Sequence, residues 1–307
     1  MKTGQILILG VTAVGKGTLA FEIALRVGGE ILSVDSMKVY RRMDIGTAKP
    51  PPDRLRQVRH HMIDVVEPSE AFSAGLFVDR AAPILDQLRA QARPVVAVGG
   101  TALYIKALLY GLFDGPGADP SIRDELLQRA QTQGLPDLYQ ELGRVDPEAA
   151  SRIHANDAKR IIRALEVYRL TGRPISRLQT QFDPGKALDD WTIVGLRRPK
   201  AQENHRINVR VQAMVDRGLV QEVKALLAEP QPLSAQARSA IGYAEVIDYL
   251  EGRHSLEYAT ECIKKNTRRL AKGQRTWFKT FPRVHWLDIG PGQDEGQVLE
   301  QALGLWA

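Results

Sequence analysis

Short blocks of consecutive apolar residues alternate along this chain with longer stretches in which apolar residues recur every three or four positions. Residues 5–9 form one block and run into Gly10; residues 31–34 form a second, ending at Asp35 and Ser36. A third, residues 95–98, ends at Gly99, Gly100 and Thr101. Blocks this short, bounded by turn-forming residues, read as strands buried on both faces. Between them, residues 18–27 place Leu19, Ile23 and Val27 on one helical side, and residues 77–92 and 102–109 also have helical patterns. Strands alternating with helices predict a mostly parallel sheet covered on both faces. Pro50, Pro51 and Pro52 break the chain after the second strand.

The pattern changes after Asp114-Gly115-Pro116-Gly117. Residues 118–182 contain helical stretches without a convincing strand, and a strand returns at 191–196. Helical spacing then covers 206–227, 240–250 and a long stretch from 256 to 281, before a closing apolar run at 284–287. The expected organisation is an α/β core domain of residues 1–117 and 183–307, interrupted by a helical insertion domain of residues 118–182.

Composition narrows the class. With 307 residues, 44% hydrophobic and 25% charged, the chain is an ordinary soluble globular protein of one large or two modest domains. No apolar run approaches the ~20 residues that span a bilayer, and the N-terminal apolar stretch is too short for a secretory signal. The single cysteine, Cys262, excludes an intrachain disulfide and a Cys-rich zinc module. A cytoplasmic enzyme is the expectation. The net charge of +6 is unevenly placed: between Glu261 and Asp288 there is no acidic residue. Lys265, Arg268, Lys272, Arg275 and Lys279 are three or four apart there and predict one helical stripe. Ile263, Thr267, Leu270, Gln274, Trp277 and Phe281 predict the packing stripe opposite, leaving the cations for phosphates.

The strongest local signal is the run Gly10, Val11, Thr12, Ala13, Val14, Gly15, Lys16, Gly17, Thr18. It follows a strand and opens a helix, the context a phosphate-binding loop requires. Glycines let successive N–H groups point inward, the helix N-terminus adds partial positive charge, and Lys16 supplies a full one. Gly17 stands where a Ser or Thr hydroxyl normally meets Mg²⁺, so the protein ligands of the metal are left open. The strand at 95–98 ends in Gly99-Gly100-Thr101 and not in an aspartate that would hold Mg²⁺ for NTP hydrolysis, which favours a transferase with a diphosphate donor or leaving group over a plain ATPase. Asp35 lies at the carboxyl end of the second strand, where open parallel sheets bind ligands. It is equally well a general base or a helix cap. His60 and His61 have no partner cluster at metal-ligand spacing.

Several further runs carry a resemblance. Asp35-Ser36-Met37-Lys38-Val39-Tyr40, then Met43-Asp44-Ile45-Gly46-Thr47-Ala48-Lys49-Pro50, resemble the signature of the tRNA dimethylallyltransferase family. His60-His61-Met62-Ile63-Asp64, Phe72-Ser73-Ala74 and Val98-Gly99-Gly100-Thr101-Ala102-Leu103-Tyr104 match in the same order. So do the stretch from His154 to Val167, then Ile241-Gly242-Tyr243, and finally Gln274 to Phe278. Together they cover about residues 5 to 288 and are similar to the bacterial form, with Ala244 departing where many relatives place Lys or Arg.

The resemblance implies a P-loop-like fold and transfer of a dimethylallyl group from dimethylallyl diphosphate to N6 of adenosine 37 in tRNAs carrying A36-A37, with Mg²⁺ as cofactor. It implies diphosphate or nucleotide binding by residues 10–17 with Arg206 and Arg210. Lys16 and Arg210 would stabilise the leaving group, Asp35 would accept the N6 proton, and Thr101 would stand at the channel waist. Contacts to tRNA would come from Asp35, Ser36, Met37, Lys38, Thr101, Arg123, Lys159, Arg160, Ile161, Ile162 and Arg163. A monomer without an obligate protein partner or membrane attachment is implied too. Three alternatives stay open: a nucleoside monophosphate kinase, favoured by Gly-Lys-Gly-Thr, a prenyltransferase acting on AMP, and an RNA-binding protein with a vestigial loop.

Overall fold

The computed structural model describes residues 4–112, 115–179, 190–290 and 292–306. The chain forms two compact units, one of Met1–Leu109 with Ala187–Ala307 and one of Tyr110–Lys186. The second unit begins before the expected residue 118; the other expected boundary, at 182 and 183, lies outside the described residues.

The first unit is built on six parallel strands: β1 (Gln5–Gly10), β2 (Glu30–Val34), β3 (His60–His61), β4 (Val95–Gly99), β5 (Trp191–Arg197) and β6 (Val284–Asp288). Their order is β3-β2-β4-β1-β5-β6. Ile6, Leu7, Ile8, Leu9, Leu32, Val34, Val96, Ala97 and Val194 have no exposed surface, as strands covered on both faces must. From β1 the chain moves to β2 and β3 on one side, returns to β4, and crosses to β5 on the other side of β1. That reversal beside β1 creates a crevice at the carboxyl ends of β1, β4 and β2.

Helices α1 (Lys16–Val27), α2 (Pro52–Gln57), α3 (Ala74–Ala90) and α4 (Ala102–Tyr110) lie in the first half. The proline run both ends the preceding loop and starts α2, with Pro52 in its first turn, where the missing N–H has no partner to lose. In the second unit, α5 (Pro120–Thr132), α6 (Leu135–Val145), α7 (Pro147–Arg152), α8 (Ala158–Thr171) and α9 (Ile175–Leu178) follow one another. Asp119, Asp146 and Asp157 cap α5, α7 and α8 by accepting N–H groups of the first turn. Leu126, Leu138, Leu142, Ile161, Ile162 and Leu165 form the core of this unit. The expectation that Ile161 and Ile162 touch RNA is therefore corrected: they are 0% and 6% exposed, and their apolar side chains hold α8 to its neighbours.

After β5 come α10 (Lys200–Asp216), α11 (Leu219–Leu227), α12 (Ala235–Arg238), α13 (Tyr243–Leu250), α14 (Leu256–Phe278) and, beyond β6, α15 (Glu295–Trp306). The single helix expected over 206–227 is two, because Gly218 takes a left-handed conformation (φ 99°) between them. The long helix α14 also differs from expectation in its faces. Thr260, Ile263, Ala271, Gln274 and Phe278 are buried, whereas Leu270 is 45% exposed. Arg268 and Arg275 turn to α10, where they meet Asn208 and the buried Glu203. The outward cations are Lys265, Arg269, Lys272 and Lys279.

Candidate active site

The loop between β1 and α1 is braced from outside. Its carbonyl groups turn toward α10 and the segment before it: Arg198 Nε donates to Val14 O at 2.9 Å and Arg206 Nε to Ala13 O at 2.8 Å. Arg210 Nη1 donates to Thr12 Oγ1 at 3.3 Å, and Lys16 Nζ to Val11 O at 3.2 Å. Gly15 adopts φ 112°, a left-handed conformation that side chains resist, and the helix α1 starts directly after it. Arg206 and Arg210 lie one turn apart on α10, both bonded to the loop. Arg198 was not foreseen: it lies two residues before α10 and belongs to no spaced motif, so only the fold reveals it.

On the opposite wall, Asp35 takes the capping role that sequence left open beside that of a general base. Its Oδ1 accepts the N–H groups of Met37 (2.9 Å) and Lys38 (3.3 Å), so it does cap a turn. Yet its charge also acts on Lys16, Lys38, Arg210 and Tyr104, which puts the carboxylate in the same crevice as the loop. Thr101 at the end of β4 accepts the Ser36 N–H at 3.1 Å and lies 3.4 Å from Ser36 Oγ, so its hydroxyl links the ends of β4 and β2.

Burial lowers the pKa of Lys16 to about 7, with Arg210 and Lys38 adding to the shift and Asp35 opposing it. Burial likewise lowers Lys38 and Arg210, each again favoured in its charged form by Asp35. Lys16, Lys38 and Arg210 lie around the one carboxylate of Asp35, and the exposed Arg206 stands at the edge of the loop. Such an excess of cations suits a multiply charged anion, which would favour the charged forms of Lys16 and Lys38.

One residue carried by motif order alone turns out to join the walls. Gln274 of α14 accepts the Thr12 N–H at 2.8 Å through Oε1 and donates to Gly100 O at 2.9 Å through Nε2. The signal was present in the sequence as an amide on an otherwise packing face. The segment after Asp35 is also pinned: Glu222 accepts the N–H groups of Asp44 (2.9 Å), Ile45 (2.8 Å) and Gly46 (3.2 Å), and Tyr243 OH donates to it at 2.6 Å. His60 and His61 are structural, bonded to Val58 O and to Glu30.

The expected RNA-contacting residues divide by environment. Ser36, Met37 and Lys38 lie in the crevice turn with Asp35, while Lys159 and Arg160 are exposed at the start of α8. Arg123 and Arg163 both pair with Glu166, which has no exposed side-chain surface. A separate cavity of about 620 Å³ lies among Val11, Leu196, Phe278, Trp286 and Ile289. Two of the arginines on its wall are already paired, Arg197 with Asp288 and Arg275 with Glu203, and neither Asp35 nor Thr101 lines it. Among the described residues no group of three or more His, Cys, Asp or Glu could hold a metal ion.

Comparison with known proteins agrees with this geometry. Residues 38–281 match the family model described as IPP transferase. A relative from Geotalea uraniireducens, tRNA dimethylallyltransferase 2, is 45% identical over 94% of this chain and 93% of its own. A crystal structure of the full-length tRNA isopentenylpyrophosphate transferase of Bacillus halodurans superposes with TM-score 0.73 at 37% identity, covering 99% of this chain and 96% of that one. A eukaryotic dimethylallyltransferase acting on tRNA gives TM-score 0.77 at 26% identity, with 96% and 77% covered. The six-stranded parallel sheet, the braced loop and these relatives lead to one assignment: the chain belongs to the IPP transferase family.

Proposed function

We propose that this protein transfers a dimethylallyl group from dimethylallyl diphosphate to N6 of adenosine 37 in tRNAs with adjacent adenosines at positions 36 and 37. The observation that carries the proposal is the pairing of two walls: Lys16 and Arg210 bonded to the loop after β1, and the Asp35 turn bonded through Ser36 to Thr101, with Gln274 joining the loop to Gly100. In the reaction a bond forms between N6 and the allylic carbon, the bond from that carbon to the diphosphate oxygen breaks, and the N6 proton passes to Asp35. An aromatic exocyclic amine is a weak nucleophile, so orientation and proton acceptance at one end and charge stabilisation at the other are the available levers. Residues 12–17, with Arg206 and Arg210, hold the leaving diphosphate. Thr101 and the turn at 35–38 hold the adenosine, extruded from its stack as base-modifying chemistry requires.

Mg²⁺ fits this site only as an ion carried mainly by the diphosphate and water, since Gly17 offers no hydroxyl and the walls are poor in carboxylates. Thr18 and Asp35 could offer side-chain oxygens to such an ion, whose chemistry would be to neutralise the departing oxygens. Lys159 and Arg160 in the helical unit and, separately, the outward cations of α14 in the sheet unit each offer charge to phosphates, which favours tRNA over AMP as the acceptor. A monomer acting in the cytoplasm is in keeping with this reading. Among the described residues no helix is long and apolar enough to cross a membrane.

The test is one assay with labelled donor and two acceptors, tRNA and AMP. Product on tRNA, reduced at least ~100-fold in kcat by Asp35→Ala, is expected for loss of a general base. Label on AMP alone, or an Asp35→Ala protein of full activity, would reject the proposal.

A further inference from the structure

Gln274 occupies a position that the proposed chemistry makes consequential. Its side chain is 8% exposed and reaches from α14 into the gap between the loop after β1 and the turn after β4. Each of its two partners is itself tied to a side chain of the site. The Thr12 whose N–H it binds receives Arg210 on its hydroxyl. The Gly100 whose carbonyl it binds precedes Thr101, which holds the Ser36 N–H beside Asp35. One carboxamide therefore closes a path from Arg210 through Thr12, Gln274 and Thr101 to the turn of Asp35.

The neighbourhood is shaped for that amide. A Cβ at Gly100 would stand 2.4 Å from Gln274 Nε2 and 3.6 Å from Lys16 Nζ, so the bare glycine is what admits the amide, with Lys16 alongside. An amide satisfies the bridge at neutral pH because it presents an acceptor and a donor at fixed separation. A carboxylate would keep the bond from Thr12 and oppose the Gly100 carbonyl. A thioether would leave both backbone groups unpaired in a buried place.

We propose that Gln274 is a positioning residue that sets the distance between the wall holding the leaving diphosphate and the wall holding the acceptor nitrogen. The inference rests on the prenyl-transfer reading above. Displacing reacting groups by about 1 Å is enough to lower a rate ~100-fold without loss of binding.

Steady-state kinetics of Gln274→Met with tRNA and dimethylallyl diphosphate test it, alongside thermal unfolding. The expected result is a kcat lowered ~100-fold, KM for both substrates within about threefold, and a retained unfolding transition. Gln274→Glu, nearly isosteric, is the second variant should Gln274→Met fail to fold, and its kcat falls by an intermediate factor. A double-substitution cycle gives a readout that a merely structural role would not move. Gly100→Ala pushes the amide aside and lowers kcat in the wild-type background, but adds nothing once Gln274→Ala has removed the amide. A folded Gln274→Met or Gln274→Glu with kcat near wild type overturns the proposal. So does a change confined to KM, or Gly100→Ala and Gln274→Ala losses that multiply. A wild-type protein that fails to modify tRNA would show instead that the reaction itself was misassigned, and the inference falls with it.

Discussion

Arg123 donates to both carboxylate oxygens of Glu166, at 2.8 and 3.0 Å, and Glu166 has no exposed surface of its own. Arg163 and the Asp119 N–H complete its shell at 2.6 and 2.8 Å. A carboxylate so placed fixes two guanidiniums that sequence alone presented simply as RNA contacts.

Burial by itself would raise the Glu166 pKa, but Arg123, Arg163 and the Asp119 N–H outweigh it and leave it below its ordinary 4.5. A depressed carboxylate stabilises the fold above the unfolded-state pKa and loses that contribution as pH falls through the folded value. Glu166→Gln is accordingly expected to cost about 1–3 kcal/mol near neutral pH, with the deficit shrinking below about pH 4.5. Denaturant unfolding of both proteins from pH 3 to 7 measures this. A deficit independent of pH would contradict it.

Lys16 behaves in the opposite sense. Its pKa is about 7 in the folded chain against an ordinary 10.5, so the unfolded state binds more protons between these values and stability rises with pH across that window. Lys16→Met should therefore raise the melting temperature of the ligand-free protein at pH 6, with the gain fading toward pH 10. The same substitution should abolish binding of inorganic pyrophosphate. Calorimetric titration would also show wild type taking up a proton on binding near pH 8, and an exchange of none would argue against a buried, ligand-seeking ammonium.

Gly17 has open space around it: a Cβ there meets nothing within 4 Å. Gly17→Ser should fold with a stability change within ~0.5 kcal/mol. It restores a hydroxyl at the position where related loops bind Mg²⁺, so the Mg²⁺ concentration for half-maximal activity should drop several-fold. An unchanged requirement would mean that this side of the helix start never meets the ion.

The cations of α14 separate into two groups that salt titration can tell apart. Lys265, Arg269 and Lys272 point outward, whereas Arg268 donates to Asn208 at 2.6 Å and Arg275 pairs with Glu203. Replacing each outward residue by alanine should lower the slope of log affinity for tRNA against log salt by about 1, and Arg268→Ala should leave it almost unchanged. Equal effects at both positions would return the whole stripe to a single RNA-facing row.

These contrasts mark where sequence sufficed. Strands β1, β2, β4 and β5 were legible because each is a short apolar block ended by a functional turn. The loop with Lys16 was legible because glycine spacing has few other uses. Strand β3 was not foreseen: two histidines give no periodicity, and pairing with β2 alone defines it. α15 carried no recognised signal either. The stripes of α14 were partly misjudged because seven-residue spacing cannot say which flank a long side chain turns to. Arg268 and Arg275 found partners on α10, a helix some sixty to seventy residues earlier. Arg198 and Gln274 escaped for the same reason: their roles lie in partners remote along the chain.

Thr12 and Gln274 are 262 residues apart in the chain. As the protein is synthesised, its N-terminal loop emerges long before α14, and until then the Thr12 N–H lacks its Gln274 acceptor. The bridge between the walls of the site is therefore the last part of it to be made, and a chain that stops before α14 has the loop and Asp35 but nothing to hold them in register.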